Sequence, residues 1–90
     1  MAYRIRLLPS AVKELAATPG KSREKLAEKI DALGSDPRLP YPQSKELKGA
    51  GKGLHRIRPG NYRAIYRIDD DEVVVCVVRV ADRKSVYRQL

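Results

Sequence analysis

The sequence predicts an α+β domain of order β-α-α-β-β-β, with a helical hairpin packed on one face of a mainly antiparallel four-stranded sheet. Three patterns carry that expectation. Tyr3-Arg4-Ile5-Arg6-Leu7 alternates apolar and basic, the period of a strand with one buried face. Leu26, Ile30 and Leu33 fall at i, i+4 and i+7, one stripe of a helix. Three apolar runs after residue 53 are separated only by short turn signals, which is the spacing of an antiparallel meander.

Each element follows in chain order. The first strand covers residues 3–7, with Tyr3, Ile5 and Leu7 inside. Pro9 ends it, and Ser10 is placed to cap a short helix with Val12, Leu15 and Ala16 on its buried side. Thr18-Pro19-Gly20 breaks that helix. The second helix runs from about residue 21 to 33, its other faces solvated by Arg23, Glu24, Lys25, Glu28, Lys29 and Asp31. Gly34 stands where a C′ glycine would, followed by Pro37.

Residues 34–53 are rich in Gly and Pro and read as one long loop, of the kind that is often functional, with Leu47 as its anchor in the core. Strands are then expected over residues 54–58, 62–68 and 73–80. The connections are Pro59-Gly60-Asn61 and the acidic turn Asp69-Asp70-Asp71-Glu72. The run Val73-Val74-Val75-Cys76-Val77-Val78 is apolar on both faces and belongs inside the sheet, with Cys76 a small core residue. The tail from Asp82 to Leu90 reads as a short helix or an extended arm.

Composition bounds the function. Ninety residues, 42% of them apolar and with no Phe or Trp, make a single domain spanning residues 1–90, with a core of Val, Ile, Leu, Ala and Tyr. One Cys allows no internal disulfide, and with one His it cannot fill a four-ligand zinc site, so no metal and no cofactor is expected. The apolar runs are too short to span a bilayer, and the first residues lack the apolar stretch of a signal peptide. A cytoplasmic protein is therefore expected, with no membrane partner.

Nineteen Lys and Arg against eleven Asp and Glu give a net charge of +8. The excess is uneven. Residues 47–68 hold no acidic residue and six basic ones: Lys48, Lys52, Arg56, Arg58, Arg63 and Arg67. Strand alternation sends Arg56 and Arg58 one way and His55 and Ile57 the other. In the next strand it groups Arg63, Ile65 and Arg67 opposite Tyr62, Ala64, Tyr66 and Ile68. The arginines should therefore gather on the face without helices, because a buried unpaired guanidinium is too costly. Arg83, Lys84 and Arg88 follow the last strand and can fold back over the same area. Like charges on one surface repel, so their clustering implies an anion.

Guanidinium groups bind phosphate bidentately and stabilise the added charge of a phosphorane, but they stay protonated and make poor general bases. His55 turns toward the core and reads as structural. Tyr87 is the better-placed acceptor, since a phenol beside several cations ionises more easily. It can also stack on a base or anchor the tail. Lys48, Lys52 and Lys84 rank below it. The four consecutive carboxylates of residues 69–72 cannot converge on a metal and read as a solvated turn.

Several motifs, in order and spacing, are similar to those of the RelE/ParE superfamily of bacterial toxins. They are Asp36-Pro37-Arg38, Lys45-Glu46-Leu47-Lys48-Gly49, Leu54-His55-Arg56-Ile57-Arg58 and Gly60-Asn61-Tyr62-Arg63-Ala64-Ile65-Tyr66-Arg67. Val80-Ala81-Asp82-Arg83 and Val86-Tyr87 complete the set. The resemblance runs from Tyr3 to about Arg88.

It implies a toxin that cleaves mRNA in the A site of the 70S ribosome and is silenced by a cognate RelB-like antitoxin in a hetero-oligomer. In such members the 2′-hydroxyl attacks the adjacent phosphate without metal, leaving a cyclic phosphate and a 5′-hydroxyl. The family's catalytic positions carry over to Arg56 and Arg58 (a basic pair), Arg63, Arg83 and Tyr87. Lys45, Lys48, Lys52, Arg67, Lys84 and Arg88 are then expected to contact RNA or ribosome. The family pair can include a lysine that serves as base. Here both are arginine, which shifts that role to Tyr87 or a nearby lysine. The superfamily also holds ParE-type members that poison DNA gyrase without cutting RNA. The tail with Arg83 and Tyr87 is the feature that favours the ribonuclease side. A plain nucleic-acid-binding module is the third reading.

Overall fold

The computed structural model describes residues 2–39, 43–47 and 53–82. Strand β1 (Arg4–Leu7) leads into helices α1 (Pro9–Ala16) and α2 (Gly20–Ala32). Strands β2 (Ser44–Glu46), β3 (Leu54–Ile57), β4 (Tyr62–Asp69) and β5 (Val74–Asp82) follow. The sheet has the order β1-β5-β4-β3-β2. β1 runs parallel to β5, and every other pair is antiparallel. The valine-rich strand is internal, as its two apolar faces require.

Among the described residues the sheet has five strands rather than four. The additional one lies within the expected long loop, in a three-residue polar run that carries no apolar alternation. Antiparallel pairing with β3 creates it, with Ser44 opposite Ile57 and Glu46 opposite His55.

The α2 stripe is buried as its spacing dictates, with Leu26, Ile30 and Leu33 under Ile57, Ala64, Tyr66, Val75, Val77 and Val80. α1 differs from expectation. It starts at Pro9, whose fixed φ suits the first helical position and whose missing N–H needs no partner there. Ser10 is therefore inside the helix, and Leu8 occupies the cap position without a side-chain cap bond. Starting the helix there puts Ala11 and the half-buried Leu15 against the sheet. It leaves Val12 51% exposed and Ala16 outside.

Gly34 does not adopt a left-handed φ. Its requirement is room, because a Cβ there would meet the Tyr3 carbonyl oxygen at 3.0 Å and that of Asp31 at 3.2 Å. The close approach lets the Tyr3 N–H donate to the Gly34 carbonyl at 2.7 Å, tying β1 to the end of α2. Among the described residues, no helix is long and apolar enough to cross a membrane.

A β-bulge interrupts the β4–β5 ladder. Ile65 pairs with Arg79 and Tyr66 with Val77, so Val78 has no opposite number. Glu14 of α1 braces this point, its Oε1 accepting from the Val80 N–H at 2.8 Å and its Oε2 lying 3.7 Å from Arg79 Nε. The extra residue puts Val78 with Leu54, Ile65, Leu47 and Ala81 in a second, small apolar cluster. Ile65 alternates with Ala64 and Tyr66 of the main core, so this cluster belongs to the face away from the helices. Leu47 thus packs under the arginine face and not in the main core.

Candidate nucleic-acid interface

The sheet register assembles the cationic face. Lys45 stands directly opposite Arg56, and Arg56 directly opposite Ile65. Arg63 and Arg67 lie two residues to either side of Ile65 on β4. Each is therefore a diagonal neighbour of Arg56, with Cα atoms roughly 7–8 Å apart. Four cationic side chains from three strands share one patch of the face away from α1 and α2.

Lys45 and Arg67 are exposed, whereas Arg56 and Arg63 are only 6% and 9% accessible. The expectation of a solvated arginine face is corrected at these two positions. Neither guanidinium is unpartnered, which is what makes the burial tolerable. Arg63 Nη1 donates to the carbonyls of Tyr62 at 3.0 Å and Gly60 at 3.3 Å. The turn at Pro59-Gly60-Asn61, where Gly60 has a φ of 67°, thereby holds one nitrogen of that guanidinium.

The Arg56–Arg58 pair is divided. β3 ends at Ile57, so alternation no longer governs Arg58. Arg58 is exposed and borders a hollow of about 400 Å³ with Lys29, Ala32, Leu39 and Pro59, beside the end of α2. Lys48, Lys52, Arg83, Lys84, Tyr87 and Arg88 lie outside the described residues.

His55 occupies the helix side of β3, opposite Tyr66 and Glu46. Its ring stacks on Tyr66 with centroids 5.5 Å apart and planes inclined by 21°. Burial holds its pKa below the ordinary imidazole value, and the Arg38 charge adds to this against the opposing pull of Glu46. The stacked ring lies across the sheet from Arg56, on the side its alternation implied.

The acidic turn has a defined role that charge counting missed. Asp70 Oδ1 accepts from the Tyr3 hydroxyl at 2.6 Å, and both its carboxylate oxygens accept from Arg38, at 3.2 and 2.7 Å. Arg38 first and Tyr3 second hold the Asp70 carboxyl below the usual carboxylate range. Asp69 Oδ1 accepts from the Glu72 N–H at 3.0 Å and closes the turn. Among the described residues no three His, Cys, Asp or Glu side chains converge as metal ligands would.

The Asp36-Pro37-Arg38 motif is thus a structural joint. Asp36 Oδ1 accepts from the Arg38 N–H at 3.2 Å, and Arg38 ties the turn after β4. The Pro37 carbonyl accepts from the Tyr66 hydroxyl at 2.7 Å. Because the phenol spends its proton on Pro37, the 2.7 Å contact between Ser44 Oγ and Tyr66 Oη has serine as donor. One buried phenol therefore seats both the motif and strand β2, which carries Lys45 to its place beside Arg56.

Chemically, the face offers permanently protonated donors in a fixed array, suited to holding a phosphate and to stabilising extra charge on it. Among its described members only Lys45 could exchange a proton.

Comparison with known proteins gives consistent matches. The sequence profile of the ParE toxin of type II toxin–antitoxin systems matches residues 5–87. Toxin RelG of Mycobacterium tuberculosis is 33% identical over 89 residues, covering 99% of this chain and 100% of that one. The mRNA interferase toxin RelE of Escherichia coli is 29% identical over 92 residues, covering 99% and 94%. Among solved structures, the toxin–antitoxin complex RelBE2 from Mycobacterium tuberculosis superposes with a TM-score of 0.79 at 28% identity. That match covers 92% of this chain and 100% of the other.

Proposed function

The chain belongs to the RelE/ParE superfamily of type II toxins, and from that premise we propose that it is an endoribonuclease that cleaves mRNA in the ribosomal A site. The observation that carries this reading is the register that brings Lys45, Arg56, Arg63 and Arg67 together on the face away from α1 and α2. A relative bearing the name mRNA interferase supports it.

In this mechanism the 2′-hydroxyl gives its proton to the acceptor and bonds to the adjacent phosphorus, the P–O5′ bond breaks, and the 5′-oxygen takes up one proton in exchange. The products are a cyclic phosphate and a 5′-hydroxyl. Arg56 and Arg63, held rigidly by burial and by the Gly60 turn, stabilise the charge that builds on the phosphorane oxygens. Arg83 adds a further guanidinium. Lys45 and Arg67 grip the flanking backbone, with Lys48, Lys52, Lys84 and Arg88 as further contacts to RNA or ribosome. Arg58, exposed beside the end of α2 and off this patch, is a more distant contact to RNA or ribosome. The proton acceptor is Tyr87, as the phenolate, or a nearby neutral lysine such as Lys45, since arginine cannot take that role. No metal takes part. The regulating partner is a cognate RelB-like antitoxin, in keeping with the structural match to a toxin–antitoxin complex.

The test is primer extension on programmed ribosomes. Wild type should truncate the message at the A-site codon, and Arg63→Ala should abolish truncation. Tyr87→Phe should slow cleavage strongly while ribosome binding persists. Equal rates for Tyr87→Phe and wild type would remove the phenol from proton transfer.

A second reading, inhibition of DNA gyrase, draws on the ParE description of the matching profile. It predicts loss of supercoiling activity with the message intact.

A further inference from the structure

The cationic register does not stop at β4. Arg67 pairs with Cys76 on β5, and Cys76 pairs with Arg6 on β1. Arg6 and Arg67 thus share a face, two strand spacings or roughly 9–10 Å apart at Cα, with the half-buried thiol between them. Both are exposed, and no ion pair engages either among the described residues. They line a groove of about 700 Å³, the size of a small-ligand site, whose floor includes Val74 and Cys76. Cys76 is accordingly a groove residue and not a core one.

The opposite lip is the acidic turn. Asp69 and Asp70 are engaged by Glu72 N–H, Arg38 and Tyr3, and Asp71 and Glu72 are the other two acidic residues of the lining. Guanidiniums on one side and carboxylates on the other match the two ends of a nucleotide. Arginine grips phosphate, and carboxylate accepts from the exocyclic amino group of a base.

We propose that this groove is a second RNA subsite, holding a nucleotide of the strand next to the reacting phosphate, and that it favours bases with an amino group over uracil. The inference rests on the ribonuclease reading, because Arg67 belongs to both the cationic patch and the groove. An acidic protein segment is the competing occupant. It offers Asp71 and Glu72 no counterpart of the exocyclic amino group that cytosine, adenine or guanine presents.

The experiment measures two quantities for wild type, Arg6→Ala and Arg6→Lys. One is cleavage on programmed ribosomes against toxin concentration. The other is binding of labelled hexanucleotides of cytidine or uridine by fluorescence anisotropy across a salt series. Arg6→Ala should raise the half-saturating concentration about tenfold with the saturated rate unchanged, the scale of one charge-assisted bond. It should also lower the slope of log affinity against log salt by about one. Arg6→Lys should keep the slope. Wild type should bind oligocytidine more tightly than oligouridine, and Asp71→Asn with Glu72→Gln should erase the difference.

Unchanged half-saturation and slope in Arg6→Ala, with Arg63→Ala inactive, overturns the groove and leaves the ribonuclease standing. A loss confined to antitoxin affinity also overturns it. If wild type cuts no message, the ribonuclease reading fails, and the salt slope of hexanucleotide binding alone decides the groove.

Discussion

Removing the Tyr66 hydroxyl tests the joint that seats the cationic strands. Tyr66 is fully buried, and its oxygen donates to Pro37 and accepts from Ser44, each at 2.7 Å. In Tyr66→Phe the ring volume remains, so the main core keeps its packing. The Pro37 carbonyl loses its donor and the Ser44 hydroxyl its acceptor. Stranding one buried polar group costs about 1–3 kcal/mol. The serine hydroxyl can rotate, so the sum should be about 2 kcal/mol. For a domain of this size that lowers Tm by about 8–16 °C. Thermal unfolding followed by circular dichroism reads the shift.

Ser44→Ala should make Tyr66→Phe less costly, because the two side chains share one bond. The alkaline limb gives an independent sign. Burial, against smaller opposing contributions from Ser44 and nearby arginines, raises the phenol's pKa. The unfolded chain therefore releases this proton at lower pH than the folded one. The associated stability is complete below about pH 10 and is lost as pH rises through the folded value. Tyr66→Phe should lack that component. A Tm within 2–3 °C of wild type, about half a kcal/mol at most, together with an unchanged alkaline limb, would refute the joint.

Three further outcomes follow from particular residues. Val73, a β-branched residue with a φ of 56°, is strained. Val73→Gly should raise stability by about 1 kcal/mol, measured by urea midpoint, and a lower midpoint would contradict the strain. His55 is held below its ordinary pKa, so the unfolded chain binds its proton first as pH falls. Stability should decline below about pH 6.5, and His55→Gln should flatten that decline in pH-dependent melts. Asp70 is held low by Arg38, so its contribution is present above about pH 4 and is lost on acidification. Asp70→Asn should remove this acid-dependent component, and melts that keep the same pH profile would disconnect the turn from β1.

Periodicity made the fold legible wherever one side of an element decides its burial. The α2 stripe and the alternation of β4 needed nothing else. β2 was not legible, because Ser44–Glu46 carries no apolar signal and becomes a strand only through its partner. The face of α1 was misjudged at Val12, since a helix of eight residues with a proline start has too few apolar positions to fix its rotation. In the cationic face, alternation located Arg56, Arg63 and Arg67 together. It could not show that Arg56 and Arg63 are buried, nor that β3 stops before Arg58. The role of Asp70 was hidden among four like residues, because its partners Tyr3 and Arg38 come from distant parts of the chain. Alternation put Arg6 on the face opposite Ile5 and Leu7, but only the parallel β1–β5 register brings it near Arg67.

End-group analysis of the message after incubation with ribosomes paused at a known codon tests the central claim most directly. The account predicts a break within the A-site codon, a 2′,3′-cyclic phosphate upstream and a 5′-hydroxyl downstream, all absent with Arg63→Ala. An intact message beside a gyrase that no longer supercoils DNA would contradict it.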